Sequence, residues 1–190
     1  MKYLSKTFIF LYMVVCVAIF IFLKTIHFDK EQNISISILQ NSKKIISLDQ
    51  PKSISFKKDS SVKYLFFPPG KNLYNKSIGY TGFTTNFFVK AEVNSIVKRG
   101  GLYHFVIYSD DGFRLSIDKK TVCQYLGDRP YLKTECSYFL KKGKHDLKLD
   151  YFQGYGPLGL KAGYSFDGKK YFLIGKDSRY IIFKGKNGKK

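Results

Sequence analysis

Along "HDLKLDYF", Leu147, Leu149 and Tyr151 fall on one side of an extended chain and Asp146, Lys148 and Asp150 on the other. That is the period of two expected of a half-buried strand. Phe113, Leu115 and Ile117 repeat it in "YSDDGFRLSID", residues 108 to 118. From Val62 onward aromatic residues and glycines become frequent, "FFPPG" marks a turn, and short strand-like runs follow at close spacing. No long segment here carries a helical period. Residues 28–61 are polar, with the β-branched runs "NISISIL" and "KSISF", and read as a connector holding one or two strands. The pattern predicts an all-β protein, an antiparallel sandwich or barrel over residues 62–183. A basic tail, residues 184–190, follows it.

The first 27 residues follow a different pattern. Lys2 and Lys6 precede "TFIFLYMVVCVAIFIFL", an uncharged run of 17 residues from Thr7 to Leu23, and Lys24 follows. The run is at the short end of what spans a bilayer, and no small residues of the A-x-A type come after it for a signal peptidase. The expectation is an uncleaved signal anchor. A single N-terminal transmembrane helix would hold its lysines in the cytoplasm and send the rest to the periplasm or the cell exterior. A cleaved signal peptide is the alternative. Cys16, inside the run, reads as a small apolar residue.

The formal net charge is +19. Without the three lysines before residue 28, 30 basic residues face 14 acidic ones, leaving +16 on the exported part. Nearly all of it is lysine; Arg99, Arg114, Arg129 and Arg179 are the arginines. Readers of bases and phosphates favour the arginine fork, so nucleic acid is not the expected partner. An acidic polymer, anionic lipid or acidic protein fits such a surface, as does plain solvation.

Several motifs fail on context. "GYGPLG", Gly154 to Gly159, has the spelling of a dinucleotide loop, but a proline interrupts it and a strand follows where a helix is required. "GKNGKK" lacks the Walker spacing and "DD" the alternating acids of an EF-hand. His27, His104 and His145 are isolated, and adjacent aspartates do not place carboxyls on opposite sides of a glycosidic bond. No catalytic constellation emerges, and the chain is not expected to be an enzyme.

Cys123 and Cys136 flank "QYLGDRPYLKTE", whose Gly-Asp-Arg-Pro centre can reverse the chain and set them near opposite positions of a hairpin. In an oxidising compartment they can pair, stabilising the fold by about 3 kcal/mol on the chain-entropy estimate; two buried free thiols are the alternative. Asp110 and Asp111 pose a sharper problem. Adjacent carboxylates repel, and in a regular strand they face opposite ways. A hard cation such as calcium removes the repulsion if carbonyls and amide oxygens complete its shell. "YFQGYGPLGL" offers the Gln153 amide oxygen and glycines that let carbonyls turn inward. A tight turn in which the aspartates cap backbone amides is the competing reading.

"GLYHFVIYSDDGFRLSIDKKTV", followed by "LKKGKHDLKLDYFQGYGPLGLKAGYS", resembles the PA14 domain, a β-sandwich of bacterial adhesins, glycosidases and fungal cell-wall lectins. "YTGFTTNFFVKAEV" upstream and "SFDGKKYFLIGKDSRYI" downstream extend the likeness over roughly Val62 to Phe183. In the family's lectins the two aspartates are joined by a cis peptide and hold a calcium ion that binds neighbouring sugar hydroxyls. The resemblance therefore implies a metal site at Asp110 and Asp111. Its further ligands come from a second loop, here Gln153 and Tyr155, and Gly154, Tyr155 and Gly156 line the ligand side.

The expected function is a membrane-anchored, exported, calcium-dependent carbohydrate-binding module whose partner is a glycan or cell-envelope polysaccharide. The alternative is a non-catalytic component of a periplasmic or envelope protein complex. Asn33, in "EQNIS", and Asn75, in "NKS", satisfy the glycosylation triplet, and Glu31 makes Asn33 the better candidate.

Overall fold

The computed structural model describes residues 6–28 and 34–185, so Asn33 and most of the basic tail lie outside it. Two compact units divide at residue 31. The first contains α1 (Lys6–Phe28), whose described side chains from Phe8 to Ile21 are exposed. Among the described residues no helix is long and apolar enough to cross a membrane. The expected N-terminal transmembrane helix is therefore not supported by the described residues.

The second unit is all β. Its strands are β1 (Ile34–Asn41), β2 (Ile54–Val62), β3 (Phe66–Gly70), β4 (Tyr74–Asn75), β5 (Gly79–Tyr80), β6 (Phe87–Val97) and β7 (Gly101–Asp110). They continue with β8 (Phe113–Ile117), β9 (Lys120–Tyr125), β10 (Leu132–Leu140), β11 (Gly143–Gln153), β12 (Leu158–Ser165), β13 (Phe172–Leu173) and β14 (Ile181–Lys184). A seven-stranded antiparallel sheet runs β2-β1-β6-β11-β8-β9, with β14 also on β6; a five-stranded sheet runs β10-β7-β12-β13, with β3 also on β12. β4 and β5 form a separate hairpin.

The alternation read from the sequence is the alternation that builds the core. Leu147, Leu149 and Tyr151 on β11, and Phe113, Leu115 and Ile117 on β8, are buried, facing Tyr103, Phe105 and Ile107 of β7 and Leu160, Ala162 and Tyr164 of β12 in one cluster. Three fully buried tyrosines each donate to a backbone carbonyl: Tyr103 to Arg99, Tyr164 to Lys176 and Tyr151 to Asp110. Each ring thus adds apolar area without stranding its hydroxyl.

The segment expected to be a connector is instead part of the sandwich. Ile34, Ile36 and Ile38 of "NISISIL" are buried, and β1 lies between β2 and β6. An alternating run buried on one face and hydrogen-bonded on both edges is an interior strand. After it, residues 42–53 fold back over the outer face of the seven-stranded sheet. There Ile45 and Leu48 join Leu39, Phe88 and Phe152 in a second small core.

Two local expectations are also revised. Cys123 and Cys136 are joined by a disulfide with Cα atoms 5.7 Å apart, but they are not hairpin partners. β9 belongs to the seven-stranded sheet and β10 to the five-stranded one, so the bond ties the two layers together. Asn75 is buried, its amide donating to the Tyr64 and Phe66 carbonyls and its oxygen accepting from the Ser77 N–H. These bonds make it a turn residue and withdraw it as an acceptor for glycan.

Candidate functional site

β7 ends in the five-stranded sheet and β8 begins in the seven-stranded one, so Asp110 and Asp111 sit at the corner where the chain changes layer. The peptide bond between them is cis. Gly112 completes the corner. A Cβ there would stand 2.6 Å from the Phe152 ring, 2.7 Å from the Tyr125 carbonyl and 2.9 Å from that of Gly127, closer than any side chain can approach.

Both carboxylates are turned in. Asp111 is 1% exposed, and its two oxygens accept from the N–H groups of Arg129 at 3.2 Å and Gly154 at 2.7 Å. Those donors come from two loops, residues 126–131 between β9 and β10 and residues 154–157 between β11 and β12. Residues 42–53 support both loops. Leu48 donates its N–H to the Leu126 carbonyl and Ser47 bridges Gly127. A Cβ on Gly154 would come within 2.5 Å of the Ile45 carbonyl.

Gln153 is fully buried. Its amide oxygen lies 2.9 Å from the Tyr151 hydroxyl, whose one proton it shares with the Asp110 carbonyl, and its amide nitrogen donates to the Pro157 carbonyl at 2.8 Å. It therefore braces the 154–157 loop from within. At the tip of that loop Tyr155 is 79% exposed, and Gly156, with φ +92°, makes the turn in a region that favours glycine. The structure thus brings Asp110, Asp111, Gln153 and Gly154 together and leaves Tyr155 on the rim.

Two residues were missed in the sequence. Asp128 lies within hydrogen-bonding reach of Asp111, and its charge is felt by Asp110. Arg129 is buried between Tyr125 and Phe113, 4.4 Å and 5.5 Å from their ring centres. Its guanidinium donates to Thr134 and to Ser109. The only signal was "GDRP", which announced a chain reversal and nothing about where the reversed chain would land. His145 pairs with Asp118 and the Lys141 carbonyl, and His104 with Ser137, so both are tied into the strand framework.

The electrostatics are those of a site short of positive charge. Burial, and then the neighbouring Asp128 carboxyl, push the Asp111 carboxyl up to about 7 against the opposing pull of the Gly154 and Arg129 N–H groups. Asp110 is raised as well, first by burial and then by Asp128. In the unfolded chain both titrate near 4, so between roughly pH 4 and 7 the metal-free fold binds more protons than the unfolded chain and loses stability as pH rises. In the presence of a chelator, thermal midpoints are expected to fall from pH 5 to pH 8. A midpoint that is flat or rises over that range would contradict the assignment.

Carboxylate oxygens suit a hard cation. Among the described residues no three His, Cys, Asp or Glu side chains form a group able to hold a metal ion by themselves. A cation held by the aspartates would need backbone and amide oxygens to complete its shell. Gly154→Ala tests the geometry. Its methyl would push the loop off Ile45 and lengthen the Gly154 N–H bond to Asp111. A loss of roughly 1–3 kcal/mol is expected from such overpacking, read as a lower denaturant midpoint. An unchanged midpoint would show that the contact relaxes freely.

The fold and this corner can be placed among known proteins. No curated protein sequence matches the chain. Among solved structures, the PA14 sugar-binding domain of an RTX adhesin is similar at TM-score 0.61 and 15% identity, covering 75% of this chain and 94% of that one. The PA14 domain of the MpAFP antifreeze protein is similar at TM-score 0.62 and 12% identity, covering 81% and 91%. The epithelial adhesin 9 A domain of Candida glabrata, solved with Galβ1-3GlcNAc, gives TM-score 0.55 and 10% identity, covering 82% and 91%. At such identities the likeness is one of fold. The family itself is shown by sequence: the model of the PA14 domain matches residues 70–178, more than half the chain and all of the Asp110–Asp111 corner, so this chain belongs to the PA14 domain family.

Proposed function

We propose that this protein is a calcium-dependent carbohydrate-binding module, a binding protein and not an enzyme, carried outside the cytoplasm on an N-terminal membrane anchor. The observation that carries the reading is the buried pair Asp110 and Asp111 at a corner walled by three loops, with the exposed Tyr155 at its rim. The two carboxylates would hold the cation, with Asp128 adding charge from the rim and carbonyls of the 154–157 loop supplying neutral oxygens. Bound calcium would offer coordination positions to two neighbouring sugar hydroxyls. The Arg129 and Gly154 N–H groups keep the Asp111 carboxylate oriented, and Gln153 sets the loop that carries Tyr155. The Tyr155 ring provides a face on which a sugar can stack.

Sugar-binding relatives of the same fold support the assignment. The Cys123–Cys136 disulfide supports export to an oxidising compartment. The 17-residue apolar run supports the anchor. One observation favours a second reading, a docking component of an envelope complex. β2 is an open edge strand with Ile54 and Phe56 exposed, a surface on which another chain can add.

Purified full-length protein in mild detergent, applied to a broad glycan array with calcium and again with chelator, separates the two. Chelator-sensitive binding to a defined set of glycans is expected. Silence across the array would leave the docking reading.

A further inference from the structure

The wall of the site formed by residues 42–53 lies outside the region that the family model matches, which begins at residue 70. It nevertheless touches both loops whose N–H groups donate to Asp111. The Ile45 carbonyl leaves no room for a side chain on Gly154, the Ile45 N–H donates to the Asn86 side chain, and the Asn86 N–H donates to the Gly154 carbonyl. Ser47 and Leu48 pair with the loop that carries Asp128. The segment is anchored from below by Ile45 and Leu48 in the small outer core, and Gln50 closes it by accepting from the Ile46 N–H and donating to the Lys44 carbonyl. It is a built wall and not a loose loop.

What this wall presents is specific. Ile45 is buried, so the next side chain, Ile46, points outward and is 59% exposed. Across the contact, Tyr155 follows Gly154 and is also exposed. Two exposed side chains thus each follow directly in sequence on one of the two residues, Ile45 and Gly154, at which the wall touches the 154–157 loop. Lys43 and Lys44, both exposed, precede them. The wall's one acid, Asp49, is held by Arg114 through two hydrogen bonds of 3.0 Å and 2.6 Å, and its third lysine, Lys52, lies over the Phe88 ring. The charge that this segment leaves facing solvent is therefore positive.

We infer that residues 42–53 form a second subsite, in which Ile46 and Tyr155 pack against one sugar unit and Lys43 and Lys44 bind a carboxylate carried by that unit or the next. The ligand class is an acidic oligosaccharide. The inference rests on the carbohydrate-binding reading and deepens it. A neutral oligosaccharide engages the cation and the apolar pair, whereas one that carries a uronic acid also pairs that charge with the exposed lysines. The lysines thereby select by charge, and the apolar pair by reach.

The test compares a neutral galactose trisaccharide with its counterpart whose terminal unit is oxidised to galacturonate, titrated into the full-length protein in detergent with saturating calcium. The double variant Lys43→Glu, Lys44→Glu and the single variant Ile46→Ser are titrated alongside. Wild type is expected to bind the acidic sugar roughly tenfold more tightly than the neutral one, as one exposed but well-placed charge contact allows. The charge-reversed variant should lose that preference and keep its affinity for the neutral sugar, and Ile46→Ser should weaken both trisaccharides but not galactose alone. Equal wild-type affinity for the two trisaccharides, or an unchanged preference in the charge-reversed variant, overturns the subsite and leaves the calcium site standing. Absence of binding to all three sugars overturns the subsite as assigned, and the carbohydrate-binding reading then falls only if the glycan array is silent too.

Discussion

Calcium titrated into the full-length protein is expected to bind at micromolar concentration, and the double variant Asp110→Ala, Asp111→Ala is expected to take up none. The size of the effect follows from the oxygen inventory. These are the buried carboxylates of the corner, and the neutral carbonyls left behind cannot offset the cost of stripping water from a divalent ion. The variant does not thereby unfold. Losing the Asp111 carboxylate strands the Arg129 and Gly154 N–H groups, at about 1–3 kcal/mol for each buried donor. It also removes two carboxyls that burial and Asp128 hold above their ordinary range, and these changes oppose one another. Thermal unfolding in chelator should therefore find the variant folded and insensitive to pH between 5 and 8 where the wild type is not. Calcium binding that survives in the folded variant would place the ion elsewhere, and no binding by the wild type would reduce the pair to a turn.

Replacing Cys123 and Cys136 by alanine is expected to cost about 3 kcal/mol for a loop of this length, the two positions being 13 apart in sequence. Because the bond joins β9 of one layer to β10 of the other, the loss is not confined to stability. The closed loop carries Asp128 and the Arg129 N–H that faces Asp111. Calcium affinity should fall with it, by less than in the aspartate variant because Asp110 and Asp111 remain. Denaturant midpoints and calcium titrations on the same preparation measure both. A variant that unfolds earlier but binds calcium as tightly would show that loop 126–131 keeps its place without the disulfide.

The strands that carry period-two alternation, β8 and β11, were legible because burial on one face is a local, repeated demand. β1 was underestimated for a related reason. Its isoleucines alternate as clearly, but its polar flanks and distance from the glycine-rich region suggested a connector, and only its pairing with β6 reveals an interior strand. Asp110 and Asp111 stood out because adjacent like charges after a strand are rare without a purpose. Gln153 was singled out as a ligand for its amide oxygen, yet that oxygen is already engaged by Tyr151, whose hydroxyl reaches it across one intervening residue of the same strand.

By itself, then, the sequence determined the β class, the family, the aspartate pair and the two cysteines able to meet, since each is written in neighbouring residues or in a short spacing. Tertiary structure alone decided that those cysteines bridge two sheets and that Asp128 and Arg129 arrive beside Asp111. It alone decided that residues 42–53, some 60 positions earlier in the chain, wall the same corner. A corner where the chain passes between layers collects loops from distant strands. Which loops meet there is set by strand order and register, quantities to which every strand contributes and which no single stretch of sequence contains.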